Sequence, residues 1–391
     1  MKILLISINT CTEPFPVYPL GMSVVANILT KNGNIVHQFD FFANNQSYTK
    51  VEECILDFDP EIIGISLRNY IENSIEITNN IIKISKKFNK LVFVGGSACS
   101  SDSKSIFKET KADFYFIGPA ESNIVPFINN LKKGKTTKKK IFKMKKYDNL
   151  YGPLYDKDIL KFYLPFNESI GLNTKRGCMN NCFYCNYQHI DGHYIKYRNV
   201  NDIINDILFL KKNKVKSIFF ADSILNDNLK FLEELLTKME KEKINIKWTG
   251  FLRPGNISKE LLLLMKKTGL ETVNIGIDGT TNETLKGYRK NFTWQDVIEI
   301  DKMVFEQNFD YTRSSFLFGG PFETKETVLQ GIDNIKKLHF KVMNVDVFDQ
   351  CIKDGKKIKQ KEICNVDREW IKEQLVNAFG SLGDITLEQK K

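Results

Sequence analysis

The sequence predicts an α/β protein in two parts: a doubly wound parallel sheet over residues 1–133 and a partial (β/α)6 barrel over 169–348, closed by a short helical tail at 349–391. Three observations lead there. Short apolar runs alternate with amphipathic stretches from the first residues onward, the pattern of strands wrapped by helices. A basic, low-complexity stretch, LKKGKTTKKKIFKMK, interrupts the alternation, which resumes at 169. The second series counts six strands at βα spacing, too few for a closed eight-fold barrel.

In the first part, apolar runs at 2–8, 61–66, 90–95 and 113–117 read as buried parallel strands, and a more mixed run at 34–40 as a fifth. Amphipathic stretches at 20–32, 71–87 and 121–133 read as helices between them. Gly95-Gly96-Ser97 and Gly118-Pro119-Ala120-Glu121 follow two of the strands, at the sheet end where such folds bind ligands. Residues 134–168 read as a linker, whose aromatic and proline-containing end, 147–168, is expected to pack between the two parts. In the second part, strands are expected at 169–175, 216–222, 245–251, 272–278, 312–319 and 342–348. Helices are expected at 201–214, 227–242, 257–269, 294–308 and 324–338, with one more at 366–380 before a frayed LEQKK. There is no internal repeat.

Hydrophobic residues make up 42% and charged residues 27%, enough of each for a packed interior and a wetted surface. No apolar run reaches the roughly 18–20 residues that span a bilayer. The opening MKILLISINT is too short for a signal peptide and leads into a proline-rich loop, with no small-residue cleavage site. It reads as a buried first strand, and the protein as cytoplasmic. The net charge of +10 is mostly lysine spread along helix faces, which predicts solvated faces and no nucleic-acid surface. Eight cysteines without an export signal point to thiols, metal ligands or catalytic groups before disulfides.

Three of the eight fall in Arg176-Gly-Cys178-Met-Asn-Asn-Cys182-Phe-Tyr-Cys185, directly after the first barrel strand, at the carboxyl end where barrel chemistry sits. Thiolates are the usual ligands of iron–sulfur clusters. Three of them leave one iron of a [4Fe-4S] cluster without a protein ligand, open to the amino and carboxylate groups of S-adenosylmethionine (SAM). An electron passed from such a cluster into the sulfonium breaks a carbon–sulfur bond and leaves a 5′-deoxyadenosyl radical. A structural zinc site is the competing reading; it needs four ligands, and His189 or His193 could complete one.

The cysteine spacing is similar to the C-x3-C-x2-C signature of the radical SAM superfamily, and the resemblance extends over roughly 169–348. It implies that Cys178, Cys182 and Cys185 hold the cluster and that Tyr184 lies against the adenine. FFADSILN resembles the segment after the second strand, which makes Asp222 and Asn226 pocket residues. Arg253, in WTGFLRP, matches a basic position near the SAM carboxylate. IGIDGTTNETLKGYRK resembles the fourth-strand motif, with Asp278 where the family usually carries Glu; the carboxylate for the ribose or amino group is kept but its reach is shorter. FLFGGPFET resembles the fifth-strand turn, in which Gly319 and Gly320 let backbone approach the adenine. Taken singly, Asp222 and Asp278 could cap helices, Arg253 could form a surface ion pair, and Gly319-Gly320-Pro321 could be only a turn.

Residues 1–133 resemble the Rossmann-like, cobalamin-binding domain found ahead of many radical SAM barrels. The matching pieces are Tyr18-Pro-Leu20-Gly21, Asn32-Gly33 with a strand ending in Asp40, Asp59-Pro-Glu-Ile-Ile-Gly64-Ile-Ser66, Val94-Gly95-Gly96 and Ile117-Gly118-x-x-Glu121. The resemblance implies cobalamin contacts from Tyr18, Leu20, Gly21, Ser66, Gly95, Gly96, Gly118 and Glu121. The D-x-H-x-x-G motif that supplies a histidine to cobalt is absent, and His37 lies in a strand; a cobalt without that ligand favours methyl transfer. A domain that has kept the pattern and binds nothing is the plain alternative. tRNA methylthiotransferases set another, since their first domain carries three cluster cysteines and this one has Cys11, Cys54 and Cys99. Against that, Cys54 sits in the amphipathic VEECILDF, and the short tail has no room for their RNA-binding β-barrel. Cys351 and Cys364 read as thiols without a partner role.

The expected activity is that of a cobalamin-dependent radical SAM enzyme, a C-methyltransferase that methylates an unactivated carbon of a small-molecule or natural-product substrate through a 5′-deoxyadenosyl radical and methylcobalamin. The expected partners are that substrate and an external reductant such as flavodoxin or ferredoxin, without nucleic acid or membrane. Cobalamin-linked rearrangement, cyclisation or desaturation stays open, as does a binding or sensor protein that never turns SAM over. The loop NYQHIDGHYIKYR after the cysteines faces the substrate or cobalamin, or serves local packing.

Overall fold

The segment Lys2–Ser7 (KILLIS) is apolar on both faces, as a strand covered by helices on each side must be, and five of its six residues are buried. It lies within a six-stranded sheet in the order Ile35–Asp40, Lys2–Ser7, Ile62–Ser66, Leu91–Gly95, Phe114–Ile117, Ile141–Lys143, parallel throughout. The computed structural model describes residues 1–13, 15–68, 72–134, 140–144, 149–166, 169–353 and 356–386. The chain divides into two compact units: Met1–Gly177 with Tyr187–Lys216, and Cys178–Asn186 with Ser217–Lys391.

In the first unit the chain order reverses between Lys2–Ser7 and Ile62–Ser66. Such a switch point leaves a crevice at the carboxyl ends of the strands. Gly96, which precedes the helix Ser97–Ser101, has φ 109° and ψ 177°, a backbone region reserved for glycine. A Cβ there would lie 2.3 Å from the Leu67 carbonyl oxygen.

The stretch 134–168, expected as a linker, carries two elements. Ile141–Lys143 is the sixth strand, and Lys157–Tyr163 is a helix whose N-cap Asp156 accepts from the Asp158 and Ile159 amides. The lysines around Ile141 disguised a strand whose Phe142 ring stacks on Phe116 at 5.0 Å. The helix is fastened by buried polar contacts. The Tyr163 hydroxyl donates to the Asp40 carboxylate at 3.2 Å, the Gln38 amide to the Leu154 carbonyl at 2.8 Å, and the Asp156 N–H to the Tyr18 hydroxyl at 3.0 Å. Asp40 is wholly buried, and burial pushes its carboxyl up to about 6.

In the second unit, Ser217–Phe220, Lys247–Leu252, Leu270–Asp278, Tyr311–Phe318 and Val342–Val347 pair in chain order, all parallel. Leu229–Lys241, Lys259–Lys267, Trp294–Glu306 and Lys325–Lys336 return the chain between them, and Asn228, Ser258, Thr293 and Thr324 cap their first turns. Trp248, Phe220, Phe316 and Phe318 fill the interior. The strand Ser169–Leu172 and the helix Val200–Lys212, expected as the opening of the barrel, group with the first unit, where Phe209 stacks on Tyr155 at 6.0 Å.

The tail departs from the helical expectation. Arg368–Phe379 forms, but Gly383–Thr386 then pairs antiparallel with Val342–Val347, burying Ile385 and covering an edge strand. A hairpin of Gln350–Lys353 and Lys356–Lys359 precedes the helix, and LEQKK lies outside the described residues. Among the described residues no helix is long and apolar enough to cross a membrane.

Gly96→Ala should cost roughly 2 kcal/mol or more, read as a lower urea midpoint at unchanged slope; a loss within about 0.5 kcal/mol would show that the Leu67 turn yields freely. Asp40 titrates at about 6 in the fold against an ordinary value of 3.8. Its stabilising share is therefore fully present below pH 3.8 and lost as pH rises through about 6. Asp40→Asn, which cannot ionise, should gain on the wild type by on the order of 2 kcal/mol between pH 4 and 7.5. Thermal melts across that range check it, and a constant gap would refute it.

Candidate functional site

The approach to the cysteine loop is set by Arg176. Its Nε meets Glu121 Oε1 at 3.0 Å and its Nη1 meets Asp191 Oδ1 at 2.8 Å, with both carboxylate side chains at most 6% exposed. Asp191 also accepts from the Gly177 N–H at 3.3 Å. Gly177 has φ 92° and passes so close to the Tyr194 carbonyl that a Cβ would sit 1.8 Å from its oxygen.

The loop itself, Cys178–Asn186, belongs to the second unit. Cys178 is buried, Cys182 half-buried and Cys185 exposed, and the Cys185 N–H closes a turn onto the Cys182 carbonyl at 3.2 Å. Three consecutive residues grip the dipeptide between the last two cysteines. The Tyr288 carbonyl accepts from the Phe183 N–H at 3.1 Å, the Arg289 guanidinium lies 5.9 Å over the Phe183 ring, and Lys290 Nζ lies 5.3 Å over the Tyr184 ring. Lys290 also donates to the Tyr184 hydroxyl at 3.1 Å and is ion-paired with Asp278, to which the Tyr184 hydroxyl donates at 2.7 Å. Tyr184 and Asp278, singled out from the sequence, are thus brought together by a lysine that was not.

This knot is nearly dry: the Lys290 and Asp278 side chains are 8% and 13% exposed. Burial works against the ammonium, but Asp278 and Cys182 outweigh it, so the Lys290 pKa lies above the ordinary value. Burial, then Asp278, keeps the Tyr184 phenol neutral. Burial raises the Cys182 thiol while Lys290 pulls it back. Asp278 reaches its place at a register slip beside Gly276 and adopts φ 68°, a strained conformation for a residue other than glycine.

Residues 178–186 offer three thiols and neither carboxylate nor imidazole, a donor set suited to iron–sulfur ligation. Among the described residues no three His, Cys, Asp or Glu side chains gather closely enough to hold a single ion, as a zinc site would require. Cluster thiolates each bind a different iron and need no such convergence.

Asp222 and Asn226 are buried. The Asn226 amide exchanges two bonds of 3.0 Å with the Arg253 backbone, tying together the loops after the second unit's first two strands. Arg253 Nε is buried without a hydrogen-bond partner among the described residues, a donor available to an anion. At Gly320 a Cβ would lie 2.2 Å from the Tyr288 ring, and at Gly319 it would meet Val347, Gln360 and Ile371 at 3.3–3.4 Å. Glycine there admits protein side chains. Glu323, unforeseen in the sequence, closes that turn by accepting from the Gly319 N–H at 3.0 Å, and burial pushes its carboxyl up to about 7.

In the first unit, Ser66, Gly95, Gly96 and Gly118 stand at strand carboxyl ends, laced by Leu67 N–H to Gly95 carbonyl at 2.8 Å and Gly118 N–H to Ser100 Oγ at 2.7 Å. Leu20 is half-buried, and Gly21 is exposed with open space beside it. Glu121 is committed to Arg176. Tyr18 turns inward, its hydroxyl bonded to Ser23 Oγ at 2.9 Å and its ring packed on Tyr155 and Tyr163. His37 is exposed against Phe58. Cys99 lies in the hydrophobic core with its thiol pushed up to about 12 by burial, and Cys54 packs on the same core at about 11. Cys11 is half-buried, its thiol bonded to the Glu13 carbonyl at 3.3 Å.

Residues 172–344 match the family model for the radical SAM superfamily, and residues 6–126 match that for the B12 binding domain. An uncharacterized methyltransferase of Pyrococcus horikoshii is 25% identical over 341 residues, 82% of this chain and 73% of the relative. A ribosomal protein uS12 methylthiotransferase of Hydrogenobaculum sp. is 24% identical over 242 residues, 56% of this chain and 60% of the relative. The radical SAM methyltransferase TsrM from Kitasatospora setae, solved with cobalamin and a [4Fe-4S] cluster, has the same fold, with a TM-score of 0.78 at 18% identity over 89% of this chain and 75% of its own. The two matched regions lie one after the other, so the chain carries a radical SAM domain over residues 172–344 with a B12 binding domain ahead of it over residues 6–126.

Proposed function

We propose that this chain is a cobalamin-dependent radical SAM enzyme that methylates an unactivated carbon of a small molecule. Residues 1–133 would serve as the cobalamin domain and 169–348 as the catalytic barrel. The observation that carries the reading is the all-thiol loop of Cys178, Cys182 and Cys185, clasped by Tyr288–Lys290, in a chain whose other parallel sheet matches a B12 binding domain. When bound, the cluster with SAM supplies the radical that opens a C–H bond, and the cobalamin supplies the methyl group. The protein's share is to hold and orient. The three cysteines act as thiolate ligands. Arg253 offers its unused Nε to the SAM carboxylate. Tyr184, within the loop, and Asp278, bonded to it, would serve the adenosyl group, with Asp222 and Asn226 shaping the wall and Gly319-Gly320 forming a turn of the pocket.

The Pyrococcus relative carries a methyltransferase name, and TsrM has been solved with a tryptophan substrate and a SAM analogue, which supports a small-molecule substrate here. Reducing electrons would come from a flavodoxin or ferredoxin in the cytoplasm. The methylthiotransferase relative raises a second reading. Three further cluster cysteines in the first domain would be needed, and Cys99 and Cys54 are committed to the core.

Anaerobic purification and reconstitution with iron, sulfide and cobalamin should give visible bands of both cluster and corrinoid, and reductant should then yield 5′-deoxyadenosine from SAM. Cys182→Ala should abolish that product. Cleavage no greater than in this variant overturns the radical assignment; cleavage without corrinoid binding overturns methyl transfer alone. Arg253→Met should weaken SAM binding about tenfold, the worth of one charge-assisted hydrogen bond, with cluster bands intact; calorimetric titration showing wild-type affinity would remove Arg253 from the site.

A further inference from the structure

We propose that Lys290 is a positioning residue for the cysteine loop, and that its positive charge beside Cys182 and Cys185 sets how readily the bound cluster accepts an electron. This rests on the function proposed above.

The clasp on Phe183 and Tyr184 has three parts, and only one needs a buried charge. The Tyr288 carbonyl holds the Phe183 amide, and Arg289 covers the Phe183 ring. Lys290 sits over the face of Tyr184, which lies between Cys182 and Cys185 in sequence, with its side chain 8% exposed. Taking a lysine and an aspartate out of water is costly, and a well-packed apolar pair often holds a loop as well. Anchoring alone therefore leaves the charge unexplained. Its neighbours account for it. A cluster held by three thiolates is anionic, and one electron from an external low-potential donor makes it more so by one unit. A fixed cation nearby lowers the cost of that electron, since net charge and burial are among the determinants of cluster potential. Asp278 offsets part of this field, so both partners enter the test.

The test is an EPR-monitored redox titration of the reconstituted wild type beside Lys290→Met, Lys290→Gln and Lys290→Arg, with iron content measured on each. Gln keeps hydrogen-bond donors and drops the charge; Arg keeps the charge. At the potential where the wild-type cluster is half reduced, the ratio of reduced to oxidised cluster should fall about tenfold in Met and Gln, the order of effect of one nearby unit charge at an effective dielectric of about 20. Arg should stay near the wild type, and Asp278→Asn should shift the opposite way. Loss of cluster from Met and Gln but not from Arg also supports the requirement for charge. Wild-type potentials in Met and Gln, or an Arg variant as altered as Met, overturn the inference while leaving the proposed function standing. A wild type that takes up no cluster overturns both.

Discussion

A carboxylate opposite a buried ammonium offsets the cost of taking it out of water, and the pairing of Lys290 with Asp278 is the contact against which Tyr184, between the last two cysteines, is packed. Bringing the two together takes distortions on both sides. The strand Leu270–Asp278 slips register beside Gly276 and ends with Asp278 in the left-handed region. On the other side Gly287 passes so near the Pro321 carbonyl that a Cβ would sit 2.0 Å from its oxygen, and Arg289 takes φ 58°. Local strain of this kind survives where surrounding contacts over-determine it, and it concentrates at functional sites. Here those contacts are the clasp on Phe183 and Tyr184, so the strain is held in the segment that positions the cysteines.

A second anchor acts just upstream. Arg176 lies between two buried carboxylates, and removing it would leave both uncompensated, a more costly loss than the pair is worth in place. Glu121 matches a position expected to face a cofactor, yet its carboxylate is spent on this arginine. Gly320 repeats the lesson: its missing side chain accommodates Tyr288. Residues at strand carboxyl ends serve both the ligand crevice and the loops that shape it, and a motif does not say which.

Environment separates cysteines that look alike in a sequence. Cys99 and Cys54 belong to the hydrophobic core, where burial holds their thiols protonated at neutral pH. Cys182 is half-buried, and burial raises its thiol as well, with the cation of Lys290 pulling it back. A thiol must lose its proton to bind metal.

The sequence by itself determined the element pattern and the cysteine motif. The helix expected at 324–338 forms at Lys325–Lys336 and the strand expected at 342–348 at Val342–Val347, because hydrophobic period and capping residues are written within a few positions of each other. The spacing of Cys178, Cys182 and Cys185 is local in the same sense. Only the tertiary structure decided what depends on distant partners. A strand hidden among lysines became the sheet's sixth because Phe142 finds Phe116. Tyr18 turned into the core because the N–H of Asp156, far along the chain, donates to its hydroxyl. The tail gained a strand because Val342–Val347 leaves an edge to cover. Lys290, one more lysine in a lysine-rich chain, became the partner of Asp278 because folding removed both from water, and a charge without water must find its opposite.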